Sequence, residues 1–453
     1  MIKFAFGLDK KALATSTLGV GHLKPRAQPL ALLLLLVFAL LANSVASNPA
    51  PKVPELETLA KKIETKIEER VIPGAVIMAS INGETVFEQV MGVQDINTDK
   101  PITKKTLFRL YSMSKPITSV AIMILAEQGK LKLTDPVAKY IPEFATTEVY
   151  AQGELGNIKT VSVERHMTIR DLLTHSSGIT YHFTGNTPVH QYYRKHGVKR
   201  YTPVGSSPND GEAAKDLTEL VQRIAKAPLL VQPGDTFAYS YSTTVLGYVI
   251  EQVTNKRLDA YLQEAIFTPL GMKDTGFFVE GKDLKRFMTN YQMTSNGLKA
   301  IETQKNTDYK DRNRLLDGGG ALAGTARDYL RFASMLANGG SLGGVRLLQP
   351  RSVYRMLYPE VELSGQADSA GTFFGLGFAV GNNITQKSGM SPTGMYGWGG
   401  SANTNFWIDP DTRLAYVVMT QVITPPGFEK SLGVRELSTQ YVAKLRQRLQ
   451  ASN

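Results

Sequence analysis

The chain has 453 residues, 42% hydrophobic and 20% charged, with no cysteine. That length supports a large core and about two or three domains, and the composition is that of a globular protein held together without disulfides. The formal charge of +11 is dispersed, with no long Lys/Arg run, which argues against a nucleic-acid partner, since that needs a clustered basic face.

Lys24 and Arg26 precede PLALLLLLVFALLA, and this apolar run ends in Asn43-Ser44-Val45-Ala46, with small residues at the −3 and −1 positions. The layout predicts a secretory signal peptide over residues 1–46, too short in its apolar part for a comfortable membrane span. The expected location is therefore periplasmic or extracellular, with no stable span after cleavage; an uncleaved N-terminal anchor is the alternative. Lys3, Lys10, Lys11, Lys24 and Arg26 against Asp9 account for +4 of the charge, leaving +7 on residues 47–453.

A Pro-containing linker (48–55) leads into a Lys/Glu-rich helix over Leu56 to Val71. AVIMASINGETVFEQV (75–90) places Asn82-Gly83 between two β-rich runs, the strongest short-range hairpin signal. KPITSVAIMILAEQ (115–128) reads as a helix with Pro116 in its first turn and Gly129 as its C-terminal cap. It is apolar nearly all round and so should be buried. From Asp135 to about Arg331 the pattern turns helical and loop-rich, and Tyr181 to Glu212 reads as one long loop. Strands return at 373–380, 404–410 and 414–421, and an amphipathic helix closes the chain over Val434 to Leu449. The predicted class is α/β (α+β): an antiparallel β-sheet flanked by helices and built from both chain ends (47–135 and 340–453), with an inserted, mostly helical part (136–339).

Ser112 and Lys115 stand three apart just before that buried helix, in the only Ser-x-x-Lys of the chain. Positions i and i+3 share a helix face, so the amine can reach the hydroxyl. Spacing alone does not separate a nucleophile with its amine from the polar rim of an ordinary helix. A hydroxyl needs a base to become a nucleophile, and a lysine with a nearby tyrosine phenol supplies one without histidine. PGDTFAYSYSTTVLGYVIE (233–251) offers Tyr239, after a Pro-Gly turn and ahead of a helix. His166, His175, His182, His190 and His196 are crowded together but match no zinc spacing. They read as structural or solvated, with His175 at a helix end that favours a charged imidazole. Neither a metal nor a cofactor is expected.

LFRLYSMSKPIT, MTIRDLLTHSSGI (167–179), PGDTFAYS, IFTPLGMKDTGF (266–277), GGGALAGTARDYLRFASMLANGG (318–340) and YGWGGSANTNFWIDP (396–410) follow one another in the order of a known family. Over about residues 60–425 the chain resembles the serine hydrolases related to class C β-lactamases and penicillin-binding proteins, most of all the family VIII carboxylesterases. The resemblance implies Ser112 as acylated nucleophile, Lys115 as the amine that orients and activates it, and Tyr239 as the base. It also implies an oxyanion hole from the backbone N–H groups of Ser112 and Ser401, in a cleft lined by the Trp398-Gly399-Gly400 strand.

The chain departs from the lactamase pattern twice. Tyr241 stands where Tyr-x-Asn would place its asparagine, and Trp398-Gly399-Gly400 replaces Lys-Thr-Gly. Loss of that amide and of the Lys/Thr pair points from lactams and carboxylate-bearing peptides towards neutral esters, with Tyr241, Trp398, Gly399 and Gly400 as substrate-binding positions. Lys387-Ser388-Gly389 is a competing third motif, but the MSPTG that follows cannot continue a central strand. The expected activity is cleavage of small carboxylic esters of short or medium acyl chain through an acyl-Ser112 intermediate. Alternatives are a β-lactamase or D-Ala-type carboxypeptidase acting on amides, an acyltransferase, and a non-catalytic binding protein.

Overall fold

The computed structural model describes residues 51–201, 209–363, 372–381, 394–425 and 432–451. The N-terminal apolar run and the Lys387-Ser388-Gly389 motif lie outside these residues. Among the described residues no helix is long and apolar enough to cross a membrane.

A nine-stranded sheet forms the frame. Its strands are β1 (Gly74–Ile81), β2 (Glu84–Asp95), β3 (Lys100–Pro101), β4 (Val361–Glu362), β5 (Thr372–Phe374), β6 (Ala379–Gly381), β7 (Tyr396–Gly400), β8 (Thr404–Asp409) and β9 (Leu414–Met419). They run in the order β4-β5-β6-β7-β8-β9-β1-β2-β3, with every neighbouring pair antiparallel. The two chain ends meet at β9 and β1, from Val76 opposite Met419 to Ile81 opposite Leu414. Asn82 and Gly83 both take positive φ (54° and 85°), so the hairpin turn uses the backbone that made this dipeptide a turn signal.

The period of two along the strands sorts side chains to two cores. Ala75, Ile77, Ala79, Trp407, Tyr416 and Val418 face helix α1 (Pro54–Glu68) and the C-terminal helix α5 (Val434–Ala451). The α1 stripe of Leu56, Leu59, Ala60 and Ile63 follows helical spacing and closes that side. Val76, Met78, Phe406, Val417 and Met419 face the larger core. Helix α2 (Ser114–Glu127) is embedded there, buried from Ser114 to Leu125, together with α3 (Ser242–Thr254) and α4 (Ala326–Ala337). Thr325 caps α4 by accepting from Asp328 N. Contacts unite Lys52 onward into one compact unit.

Three readings of the sequence change. The stretch 373–380 is two strands, β5 and β6, not one. Gly377 breaks it at φ 97°, where a Cβ would sit 2.3 Å from Ser119 Oγ. The supposed loop after Tyr181 contains a helix, Pro188–Lys195, begun by a proline in its first turn. The helical middle also carries two hairpins, Glu148–Gln152 with Lys159–Ser162 and Asn290–Thr294 with Gly297–Glu302. The second turns at Ser295-Asn296 and returns from Gly297, so the Asn-Gly signal of the first hairpin stands one residue further along here.

Candidate active site

Ser112 lies in a 3₁₀ turn, Tyr111–Met113, that runs directly into α2. Tyr111 holds φ at 46°, a left-handed conformation that costs a residue with a Cβ roughly 1–3 kcal/mol. Surrounding bonds enforce it. Leu110 N donates to Leu322 O (2.9 Å), Tyr329 Oη to Met113 O (2.9 Å) and Asn290 Nδ2 to Tyr111 Oη (2.7 Å).

Lys115 is almost fully buried, and its Nζ donates to Ser112 Oγ at 3.1 Å and to the Gly319 carbonyl at 2.7 Å. The Tyr239 hydroxyl donates to the same Ser112 Oγ at 2.6 Å. Lys115 Nζ is 4.7 Å from the centroid of the Tyr239 ring and 5.4 Å from that of Tyr181. The three side chains that the sequence singled out, 127 residues apart at their extremes, therefore share one oxygen. That oxygen has the Lys115 amine on one side and the Tyr239 oxygen on the other, two groups that can take the serine proton once one of them has given up its own.

The THSSGI segment is what holds Tyr239 in place. Ala238 N donates to His175 O (2.7 Å), and His175 Nδ1 meets Ser240 Oγ (3.0 Å). Ser240 Oγ meets Ser242 Oγ (2.8 Å), which meets Ser177 Oγ (2.7 Å). His175 is not the charged helix-end residue expected. It is buried, and burial together with the nearby Lys115 charge pushes its imidazole well below the usual range, so it acts as a neutral stitch.

Strand β7 brings the third segment. A Cβ on Gly400 would lie 2.4 Å from the Leu110 carbonyl oxygen, so only glycine lets β7 pass this close to the Ser112 turn. Ser401 follows at once, exposed, in the turn between β7 and β8. Trp398 points to the same side as Gly400 but is 8% exposed, packed on Tyr239 (centroids 5.6 Å apart) and edge-on to Phe374 (5.1 Å). Its indole is a wall behind the phenol, and its N–H meets no acceptor among the described residues. Tyr241 is buried as well, against Tyr181 (4.2 Å) with its hydroxyl on His182 Nδ1 (2.8 Å). It shapes the aromatic wall and extends no polar arm like the asparagine it replaces. Phe183, 59% exposed, stacks on Tyr181 and carries that wall to the surface.

Two groups escaped the sequence reading. Asp317 anchors the glycine run that receives Lys115, through its bond to Gly319 N (2.8 Å). Arg435, at the start of α5, lays its guanidinium against Gly399; a Cβ there would be 2.5 Å from Arg435 Nη2. Burial holds the Arg435 guanidinium below its usual range, and the Tyr239 oxygen is among the groups it feels. The neighbouring Glu436 carboxylate acts on it in the opposite direction to burial, ahead of Tyr239. The histidines near the site are taken up separately: His182 by Tyr241, His190 by Thr180 (3.1 Å) and Thr187 (2.7 Å).

A protein-family model described as Beta-lactamase matches residues 59–440. The chain belongs to the beta-lactamase family. Within it, an uncharacterized protein of Mycobacterium tuberculosis (strain CDC 1551 / Oshkosh) is 31% identical over 362 residues, spanning 77% of this chain and 86% of that one. Esterase EstB of Burkholderia gladioli is 34% identical over 211 residues, 47% of this chain and 48% of its own. The solved structure of EstCE1, described as a hydrolase with promiscuous acyltransferase activity, superposes with a TM-score of 0.70 at 26% identity. That match covers 86% of this chain and 99% of EstCE1. This beta-lactamase-family protein thus has the serine-hydrolase fold shared by relatives that include esterases and an acyl-transferring hydrolase.

Proposed function

We propose that the protein is an exported serine hydrolase that cleaves carboxylic esters of short or medium acyl chain through an acyl-Ser112 intermediate. The observation that carries this reading is the placing of Ser112 Oγ between Lys115 Nζ (3.1 Å) and the Tyr239 hydroxyl (2.6 Å). In acylation the Tyr239 oxygen, acting as a phenolate that has first lost its own proton, takes the Ser112 proton as Oγ bonds to the ester carbonyl carbon. The carbonyl oxygen, now negative, turns to the N–H groups of Ser112 and Ser401; losing one such donor costs roughly 3–4 kcal/mol in an enzyme of this type of chemistry. Tyr239 then gives its proton to the departing alkoxide, and water attacks the acyl-enzyme by the reverse path. Lys115 holds Oγ and places its amine 4.7 Å from the centroid of the Tyr239 ring, beside the oxygen that takes the proton.

Ester over lactam is supported by Tyr241 and Trp398, whose buried rings stand where a lactam site offers an amide and a Lys/Thr pair. It is also supported by the kinship with an esterase over about half the chain. Transfer of the acyl group to an alcohol other than water is the second reading, favoured by the likeness to EstCE1. Export rests on the apolar segment before Ala46 and is checked by N-terminal sequencing of the mature protein.

The test compares hydrolysis of p-nitrophenyl butyrate and a chromogenic cephalosporin by the purified protein and by Ser112→Ala. Ester turnover that vanishes in the mutant is expected. Rapid cephalosporin turnover with little ester cleavage would reverse the substrate ranking, and ester turnover surviving in Ser112→Ala would remove the nucleophile.

A further inference from the structure

Lys115 has a buried ammonium, yet no carboxylate pairs with it among the described residues. Apart from Ser112 Oγ, its acceptor is the Gly319 carbonyl, at 2.7 Å. The aim of the amine at Oγ is thus set by the peptide plane of a residue in Gly318–Gly320, which has no side chains to fix it by packing.

The run is instead pinned by polar bonds at each residue. Gly318 O accepts from Thr118 Oγ1 (2.8 Å), one turn beyond Lys115 on the same helix. Gly319 N donates to Asp317 Oδ1 (2.8 Å), and the N–H groups of Gly320 and Ala321 donate to Asp317 O (3.1 and 2.9 Å). Arg200 bridges both ends, with Nε on Asp317 Oδ2 (3.2 Å) and Nη2 on Gly320 O (3.3 Å). Thr244 Oγ1 completes the Asp317 shell at 2.6 Å. Space is tight at two of the glycines: a Cβ on Gly319 would sit 3.0 Å from both Asp317 Oδ1 and Thr244 Oγ1, and one on Gly318 3.0 Å from Thr118 Oγ1.

Gly319 therefore links two charges that never touch. Its carbonyl takes the Lys115 ammonium, and its N–H points to the Asp317 carboxylate. From this geometry we infer that Asp317 is a positioning residue for Lys115. It fixes the carbonyl that aims the amine and supplies, one residue away, the negative charge the buried ammonium lacks. A loop held only for its shape needs no ion at this position, because an amide would accept from Gly319 N and Thr244 equally well. A buried carboxylate demands a cationic partner in Arg200, an arrangement that gains little stability over neutral residues. The charge reaches the site: burial and then neighbouring charges, Asp317 among them, hold the Tyr181 and Tyr241 phenols well above their usual range.

The inference rests on the Ser112 hydrolase reading, and the experiment separates the two. Wild type, Asp317→Asn and the double variant Asp317→Asn/Arg200→Gln are titrated with a fluorophosphonate to count working sites. The pH dependence of p-nitrophenyl butyrate kcat/KM is then recorded per working site. The double variant leaves no stranded Arg200 charge, so it keeps the test available if the single variant does not fold. Both variants are expected to lose tenfold or more in kcat per site, with KM within threefold of wild type. Their pH-rate profiles are expected to move to lower pH by half a unit or more, since removing a nearby negative charge makes the protons of the Ser112–Lys115–Tyr239 group easier to lose. Profiles that superimpose on wild type, in whichever variant folds, would overturn the role of Asp317 and leave the hydrolase reading intact. A wild type that neither labels nor turns over ester would overturn the hydrolase reading itself.

Discussion

Ser112, Lys115 and Tyr239 are already joined by hydrogen bonds through Ser112 Oγ, whereas the rim made by Phe183 and Ser401 is exposed. The inner group is paid for by strain at Tyr111, by three glycines that receive Lys115 and by a chain of hydroxyls that stitches Tyr239 to the THSSGI segment. The rim carries an exposed aromatic ring and an exposed serine, with the half-buried Arg435 guanidinium behind them against Gly399. On the proposed function, the groups for proton transfer are preorganised while the rim is left for the substrate to fill.

The largest effects should follow from breaking the inner group. Ser112→Ala should lower ester turnover by about 10³-fold or more while the melting temperature stays close to that of wild type. Gly400→Ala places a methyl 2.4 Å from the Leu110 carbonyl and should push β7 off the Ser112 turn, costing roughly 10²-fold in kcat. Gly397→Ala is its contrast on the other face of β7. Its methyl would meet Phe406 O at 2.1 Å, so thermal stability should fall before turnover per folded molecule does.

The rim predicts a smaller and selective effect. Neutral esters should be turned over faster than esters of equal length with a free carboxylate, and the turnover that the carboxylate esters do show, expressed as a carboxylate-to-neutral kcat/KM ratio, should lean on Arg435. Arg435→Gln should reduce that kcat/KM ratio by about tenfold, in line with one charge-assisted hydrogen bond. An unchanged ratio would mean that the Arg435 guanidinium serves only the packing of α5 on Gly399.

A final difference between the regions appears in stability against acid. Burial, then the Lys199 charge, lowers the His182 imidazole to about 4 from its ordinary 6.5. The unfolded chain therefore takes up a proton first as pH falls, and stability is lost progressively between pH 6.5 and about 4. Over that window the loss at this residue reaches about 3 kcal/mol at most. Denaturation midpoints of wild type and His182→Gln at pH 7 and pH 4.5 measure it; the variant should show the shallower fall.

Much of this was legible in the sequence because it is local or ordered along the chain. Asn82-Gly83 fixes its hairpin, the all-round apolar pattern of α2 fixes its burial, and Ser112, Lys115 and Tyr239 lie in recognisable segments. Asn296-Gly297 repeats that dipeptide one residue further along its turn, and the helical character of the neighbouring segments obscures it. Asp317 and Arg435 leave no local trace. An aspartate before three glycines reads as a turn, and an arginine opening an amphipathic helix reads as its polar face. Their roles depend on Arg200, 117 positions before Asp317 in the chain, and on Gly399, 36 before Arg435. His175 departs from expectation for the same reason, since helix-end logic assumes solvent and this end is sealed by Phe237, Tyr239 and Phe374.

The most direct test is intact-mass analysis after treatment with a fluorophosphonate, followed by peptide mapping. A single adduct on the peptide containing Ser112, formed at a rate that collapses in Tyr239→Phe, is the predicted result. An adduct on any other serine, or none under conditions where p-nitrophenyl butyrate is hydrolysed, would contradict the assignment of Ser112 as nucleophile.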